Sequence, residues 1–113
     1  MELLEFIEKN FFPGQKIDQD TYYKFKERNC DTIRAGWIVQ RSEDLAVAMV
    51  NSCIETRPDI TIESLQILLN DLVSDGGLSL LKEDGNIGPK TIQVLDKALA
   101  SVDDAENFLA SKL

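Results

Sequence analysis

The residue types that this chain lacks limit the chemistry it can perform. Its 113 residues include no histidine, which excludes Ser-His-Asp and Cys-His catalysis, HExxH zinc sites and imidazole general bases. Acid–base chemistry would have to use the 20 Asp and Glu residues. Glycosidic cleavage requires a protonated carboxylic acid in a poorly solvated cleft, usually with a second carboxylate across the scissile bond. The spacing of the acidic residues specifies no such pair, and we predict no metal site and no cofactor.

Three aromatic residues are candidates for binding a sugar ring. Tyr22 and Tyr23 are adjacent in a predicted helix, and Trp37, the only tryptophan, follows Gly36 in a predicted connecting loop. An aromatic face is large and apolar, so these side chains could form a platform for a sugar. The alternative is that the rings pack in the core or at its edge. Exposure of Trp37 would discriminate between the two.

The two cysteines, Cys30 and Cys53, are too few for a thiolate zinc site and too far apart for a CxxC redox pair. We predict that both thiols are buried, reduced and unpaired. In a helical hairpin that turns near Val39, the two residues would be offset by about 7 Å along the helix axes. That offset is large for a disulfide.

The balance of charge excludes further classes of protein. Twelve Lys and Arg residues face 20 acidic ones, for a net charge of −8, whereas binding to nucleic acid depends on cations that neutralise phosphates. We expect one domain over residues 1–113. Acidic residues within the N-terminal apolar stretch are incompatible with a signal peptide, and no run approaches the roughly 20 apolar residues of a membrane span. We therefore expect synthesis in the cytoplasm, no membrane insertion, and signal-independent release as the route to a cell wall.

The elements that must position these residues are predicted to be helices. Apolar residues recur at helical spacing through most of the chain and predict about six helices with short connections. The third, after the capping residue Ser42, is nearly all apolar and should be central. A short run, Leu78 to Leu81, could be a strand or an extended segment. The predicted boundaries are helix 1 from Glu2 to Phe11, helix 2 from Asp18 or Asp20 to an interruption at Gly36, helix 3 from Ser42, helix 4 from Thr61, helix 5 from Pro89, and helix 6 from a capping box of Ser101 and Asp104.

The segment DGNIGPKT has the composition of a tight turn that leads into a helix. Asp84 and Gly85 favour the turn, with Gly85 able to take positive φ, and Gly88 lets the backbone pass closely. Pro89 suits the first helical position, and the Thr91 hydroxyl can bond back to a backbone group of the turn. These properties suit a purely structural turn as well as a direct ligand contact.

The motif LQ…LN at residues 65–70, followed by DGNIGPKT and Leu95, resembles a peptidoglycan-binding module. It is most similar to the C-terminal module of glycoside hydrolase family 108, the lysozyme-like muramidases and secretion-activator proteins of bacteria and phages. The resemblance covers residues 20–100 and implies a lysozyme-like all-α fold of orthogonal helices. Residues 1–19 would be a divergent N-terminal helix and residues 101–113 a C-terminal one. Upstream of the LQ…LN motif, the chain also resembles the family at Tyr22-Tyr23, Ile33-Arg34, Leu45-Ala46 and Val50-Asn51-Ser52.

The chain departs from this family at the catalytic position. The muramidases use the glutamate of a Glu-Gly-Gly motif near the N-terminus as the catalytic acid, whereas Glu8, at the comparable place, is followed by Lys9 and Asn10. Where the family has VNSG, this chain has Val50-Asn51-Ser52-Cys53, so Cys53 replaces the glycine. The resemblance thus leaves Glu8 as a weak catalytic candidate and Asn51 as a candidate ligand contact.

Together, the resemblance and the missing motif lead us to expect a non-catalytic protein that binds peptidoglycan through Tyr22, Tyr23, Trp37 and Asn51. One alternative is an acidic protein–protein interaction module, an inhibitor or regulator on a degenerate muramidase fold, whose partner has a basic surface. A weaker alternative is a residual muramidase that uses Glu8.

Overall fold

A computed structural model of the chain describes residues 1–73 and 81–113. Over these residues the chain forms seven helices and no strand, so the predicted all-α class is confirmed, with one helix more than expected. Residues 78–80 of the run predicted as a strand or an extended segment lie outside the described residues. The helices are α1 (Leu3–Phe11), α2 (Gln19–Asn29), α3 (Ala35–Val39), α4 (Glu43–Glu55), α5 (Pro58–Val73), α6 (Pro89–Ser101) and α7 (Ala105–Lys112).

Local features of the sequence determine where three of the helices begin. The Thr21 N–H donates to Asp18 Oδ1 at 2.8 Å, and the Leu45 N–H donates to Ser42 Oγ at 3.0 Å. Both bonds satisfy backbone donors that have no partner within the helix. The bond from Thr21 also lowers the pKa of Asp18. Pro89 is the first residue of α6, so the starts predicted from Asp18, Ser42 and Pro89 are confirmed.

Two predicted boundaries are wrong because the backbone turns elsewhere. The break expected at Gly36 comes earlier, since α2 ends at Asn29 and Arg34 takes a positive φ of 52° before α3 continues through Gly36. Helix α5 begins at Pro58, three residues before the predicted Thr61. Proline is tolerated in the first turn of a helix, because the N–H that it lacks would have no helical partner there.

The capping box predicted at Ser101 and Asp104 is also wrong. Ser101 is the last residue of α6, and Asp104 has a φ of 62° and makes no side-chain cap bond to α7. Its carboxylate instead accepts from the Asn107 side chain at 2.7 Å. In a capping box the residue three positions after the cap already has a helical backbone, so the left-handed conformation of Asp104 is incompatible with the predicted motif.

The core is centred on α4, as its apolar composition predicted. This helix packs against α2, α3, α5 and α7, while α5 also packs against α6 and α7, and α1 packs against α3. Within the described residues, no helix has both the length and the apolar composition needed to cross a bilayer. The buried residues of α4 are Leu45, Ala46, Met49, Val50 and Cys53.

Both cysteines are free and lie within this core. Cys30 is 1% exposed and Cys53 is 6% exposed. Burial raises the pKa of Cys30 to about 12, with a smaller contribution from nearby Cys53, and burial also raises the pKa of Cys53. Because the thiolate is the reactive form, burial disfavours the reactive form of both thiols.

Candidate functional site

A buried glutamine on α5 holds the turn that leads to α6. Gln66 is 1% exposed, and its Oε1 accepts the Gly85 N–H at 3.1 Å. Its Nε2 lies 2.9 Å from Asn86 O, 3.2 Å from Asp84 Oδ1 and 3.3 Å from Thr91 Oγ1, so its two N–H groups serve three acceptors. One side chain therefore satisfies polar groups from both the turn and the first turn of α6.

A second amide on the same face of α5 holds the chain just before the turn. Asn70 follows Gln66 by four residues, which places both on one side of the helix. The Leu81 N–H donates to Asn70 Oδ1 at 2.7 Å, and Asn70 Nδ2 donates to Leu81 O at 2.9 Å. We call Gln66, Asn70 and residues 81–91 the turn clamp.

The turn clamp explains the LQ…LN motif in structural terms. The sequence contains a detectable indication of it, because two amides four residues apart interrupt an otherwise apolar stripe. Both residues belong to the LQ…LN pattern, but no role was predicted for either. The Thr91 hydroxyl was predicted to bond to the turn backbone, whereas in the structure it accepts from the side chain of Gln66.

The two glycines of the turn differ in what they require. Gly85 has a φ of 73°, as predicted, and a Cβ added there would lie 3.1 Å from Asp59 O. Gly88 has a φ of −125°, and an added Cβ would meet nothing within 4 Å. The prediction that Gly88 is needed for a close backbone approach is therefore wrong.

Asp84 completes the turn through its side chain. Its Oδ1 accepts the Asn86 N–H at 3.0 Å, which is the bonding of an Asx-turn. This bond makes the largest contribution to lowering the pKa of Asp84, and the bond from Gln66 makes the next largest. A pocket of about 320 Å³ lies over the turn. Of its polar lining residues, Gln66, Asp84 and Asn86 already bond within the turn clamp, and Lys82 and Lys90 are exposed at its edge.

Trp37 lies at a second pocket, of about 330 Å³, that shares Pro89 with the pocket over the turn. Trp37 is 42% exposed and belongs to α3, so the prediction that it lies in a connecting loop is wrong. The polar groups at this pocket come from Arg41 at the end of α3 and from Gln93 and Asp96 on α6. An exposed aromatic side chain is thus flanked by hydrogen-bonding groups.

Two arginines determine the position of Trp37. The Arg34 guanidinium lies 4.6 Å from the centroid of the Trp37 ring, a cation–π distance, and its Nε donates to Ile87 O at 3.3 Å. Arg41 donates to Trp37 O at 2.8 Å and to Asp96 Oδ1 at 2.6 Å. Arg34 therefore connects Trp37 to the turn clamp, and Arg41 connects α3 to α6.

The other predicted ligand-binding residues lie outside this pocket. Tyr22 and Tyr23 contact each other on α2, with ring centroids 5.4 Å apart. Tyr23 is 53% exposed, while Tyr22 is half-buried, and burial raises its pKa. Asn51 is exposed on α4. Of the four predicted contacts, only Trp37 lines the pocket between α3 and α6.

Glu8, the weak catalytic candidate, has a structural contact. Its side chain is half-buried on α1, and its Oε2 accepts the Ile17 N–H at 3.0 Å. This bond fixes the connection between α1 and α2. Among residues 1–73 and 81–113, no group of three or more cysteine or acidic side chains is arranged to hold a metal ion.

No protein-family profile, curated protein sequence or solved structure matches this chain. The similarity to glycoside hydrolase family 108 consequently rests on the motifs quoted above, and any function taken from it is a proposal.

Proposed function

We propose that this chain is a non-catalytic domain that binds cell-wall glycan, with a sugar ring stacked on Trp37. The observation that carries the proposal is the 42% exposure of this tryptophan in a pocket. Ligand pockets combine an apolar or aromatic wall with a few polar groups that orient the ligand. Here Gln93 and Asp96 supply groups that can bond to sugar hydroxyls beside the indole.

The bonds around Trp37 support this proposal because they order the aromatic wall before a ligand arrives. Arg34 packs on the ring, and Arg41 bonds to the Trp37 carbonyl. A side chain that is already ordered loses less conformational freedom on binding. The similarity of DGNIGPKT to a peptidoglycan-binding module adds support, since Pro89 of that motif lines the same pocket.

Retention on purified sacculi tests the proposal. We expect wild-type protein to be retained at both low and high salt, because stacking on an indole and hydrogen bonds to uncharged sugar hydroxyls depend little on ionic strength. Trp37→Ala should abolish retention. Tyr23→Ala is the matched control, since it removes an aromatic ring that is at least as exposed but lies outside the pocket, and it should bind as wild type. Absence of retention at every salt concentration would overturn the proposal.

A second candidate function is an acidic protein–protein interaction module, and it is favoured by the outer surface of α5. Ile60 and Ile67 are 41% and 40% exposed and lie seven residues apart, on one face of the helix. The exposed Glu63 lies between them. A basic partner would associate more slowly as salt rises. Ile67→Ser should then weaken binding to that partner while Trp37→Ala leaves it unchanged, the reverse of the pattern expected for glycan.

We expect no hydrolysis of the cell wall by this chain. The Glu-Gly-Gly motif of the resembled muramidases is missing, and the carboxylate of Glu8 is bonded to the Ile17 N–H. A turbidity assay on sacculi should show no loss of optical density above the buffer control. Activity that disappeared in Glu8→Gln would instead establish the residual muramidase.

A further inference from the structure

A pocket of about 550 Å³ lies where the ends of α2 and α4 meet the start of α5. It is distinct from the pocket at Trp37 and shares no lining residue with it. Its lining includes Arg28 and Arg57 and no carboxylate. In a chain of net charge −8, a pocket lined by two cations without an acidic residue is an unusual concentration of positive charge.

A buried amide at this pocket has no partner among residues 1–73 and 81–113. Asn29 is 8% exposed, and its side chain makes no hydrogen bond with any described residue. Among the described residues, every fully enclosed side-chain nitrogen or oxygen does have a partner. Since the Asn29 amide has no such partner, it is not fully enclosed, and the 8% of the residue that solvent reaches includes the amide. Asn29 lines the pocket, which places this accessible amide within reach of a ligand there.

The two arginines are also available to a ligand. Arg28 forms no ion pair with a described residue. Arg57 contacts Asp59 at 3.4 Å, with the two side chains 68% and 61% exposed. Ion pairs between such exposed groups contribute little, about 0–1 kcal/mol. An anion in the pocket can therefore displace the Asp59 carboxylate from Arg57.

We propose that this pocket binds a phosphate monoester attached to an apolar or aromatic group. A guanidinium group bonds to phosphate through two parallel N–H donors. Two guanidinium groups together match the double negative charge of a phosphate monoester better than the single charge of a carboxylate. The Asn29 amide supplies a further donor. The side chains of Phe25 and Ile54, which also line the pocket, contact the apolar group. This inference does not depend on glycan binding at Trp37.

A titration with phenyl phosphate at constant ionic strength tests the proposal, with binding measured from the shifts of the backbone amide NMR signals. We expect saturable shifts confined to residues around Arg28, Asn29 and Arg57, and weaker binding of inorganic phosphate and of benzoate. If inorganic phosphate bound as tightly as phenyl phosphate, the apolar wall would contribute nothing. If benzoate bound as tightly as phenyl phosphate, the pocket would be a general anion site. Either result would overturn the assigned ligand class.

Variants with opposite expected effects separate binding from folding. Arg28→Gln should weaken phenyl phosphate binding about tenfold or more, because it removes a charge-assisted bond. Asp59→Asn should strengthen it, because the competing carboxylate is neutralised. Lys97→Gln, which removes an exposed cation on α6, is the matched control and should bind as wild type. Lack of saturable binding, or Arg28→Gln binding like the control, would overturn the proposal, and circular dichroism checks that each variant is folded.

Discussion

The turn clamp and the pocket at Trp37 both include Pro89, yet they use their polar groups in different ways. In the turn clamp, Gln66 and Asn70 bond to backbone and side-chain groups of residues 81–91. At the pocket, Arg41 and Asp96 bond to each other, but Gln93 is exposed beside an exposed indole. Polar groups that are bonded within the fold contribute to stability, whereas exposed ones can bond to a ligand. The most specific motif in the sequence thus forms mainly structural contacts, and the candidate ligand contacts lie beside it on α3 and α6.

Substitution of Gln66 should give the largest effect on stability. Gln66→Leu removes the acceptor of the buried Gly85 N–H, and an unsatisfied buried donor costs about 1–3 kcal/mol. We expect urea denaturation to show a loss of free energy of unfolding in that range. Gln93→Leu makes the same change at an exposed site and should stay within about 0.5 kcal/mol. Equal losses in the two variants would contradict the structural role of Gln66.

The two glycines of the turn sharpen the comparison further. Gly85→Ala should cost about 1–2 kcal/mol, because a side chain disfavours the left-handed backbone and its Cβ would crowd Asp59 O. Gly88→Ala should change the free energy of unfolding by no more than about 0.5 kcal/mol, since its backbone is extended and the added carbon meets nothing. Parallel denaturation curves measure both, and a larger loss at Gly88 would mean that the turn is formed differently.

The pH dependence of stability should reveal the carboxylate of the turn clamp. Hydrogen bonds lower the pKa of Asp84 in the folded chain, so the ionised form is favoured by folding. Its contribution is present above the unfolded pKa of about 3.9 and is lost as pH falls through the lower folded value. Asp84→Asn should therefore be less stable than wild type near pH 6, and the difference should shrink toward pH 2. A difference that stayed constant over this range would exclude the linkage.

Trp37→Ala should cost less stability than Gln66→Leu or Gly85→Ala. The ring is 42% exposed, and a cation–π contact at an exposed site contributes about 0.5–1 kcal/mol. We expect a change in free energy of unfolding no larger than that, together with loss of retention on sacculi. A loss greater than that of Gln66→Leu would show that Trp37 is mainly a structural residue.

The sequence predicted helix starts well where local interactions determine them. Asp18, Ser42 and Pro89 act within one helical turn, so their effect does not depend on the rest of the fold. Two of the errors, the break expected at Gly36 and the capping box expected at Ser101, came where non-glycine residues take positive φ, at Arg34 and Asp104. Such conformations are uncommon and persist when surrounding structure holds them, so composition at those positions does not predict them.

The candidate site was less predictable because its parts come from distant segments. Trp37 and Asp96 line one pocket only because α3 and α6 are brought together by packing. The bonds from Gln66 reach residues 18 to 25 positions later, beyond the range of any local pattern. In contrast, the turn at Asp84 and Gly85 depends only on residues that are adjacent in the sequence, and the positive φ of Gly85 was predicted correctly.

The position of Arg34 on the Trp37 ring has a consequence for avidity. The guanidinium occupies one face of the indole, so a sugar can stack only on the opposite face and cannot be sandwiched between two aromatic rings there. A single one-sided stack gives modest affinity. On a polymer with many identical sugars, however, linked copies of such a domain bind far more tightly than one copy, because each further contact is intramolecular. Retention on a wall would then depend steeply on how many copies are joined, and weak single contacts would still allow the domain to move between neighbouring sugars.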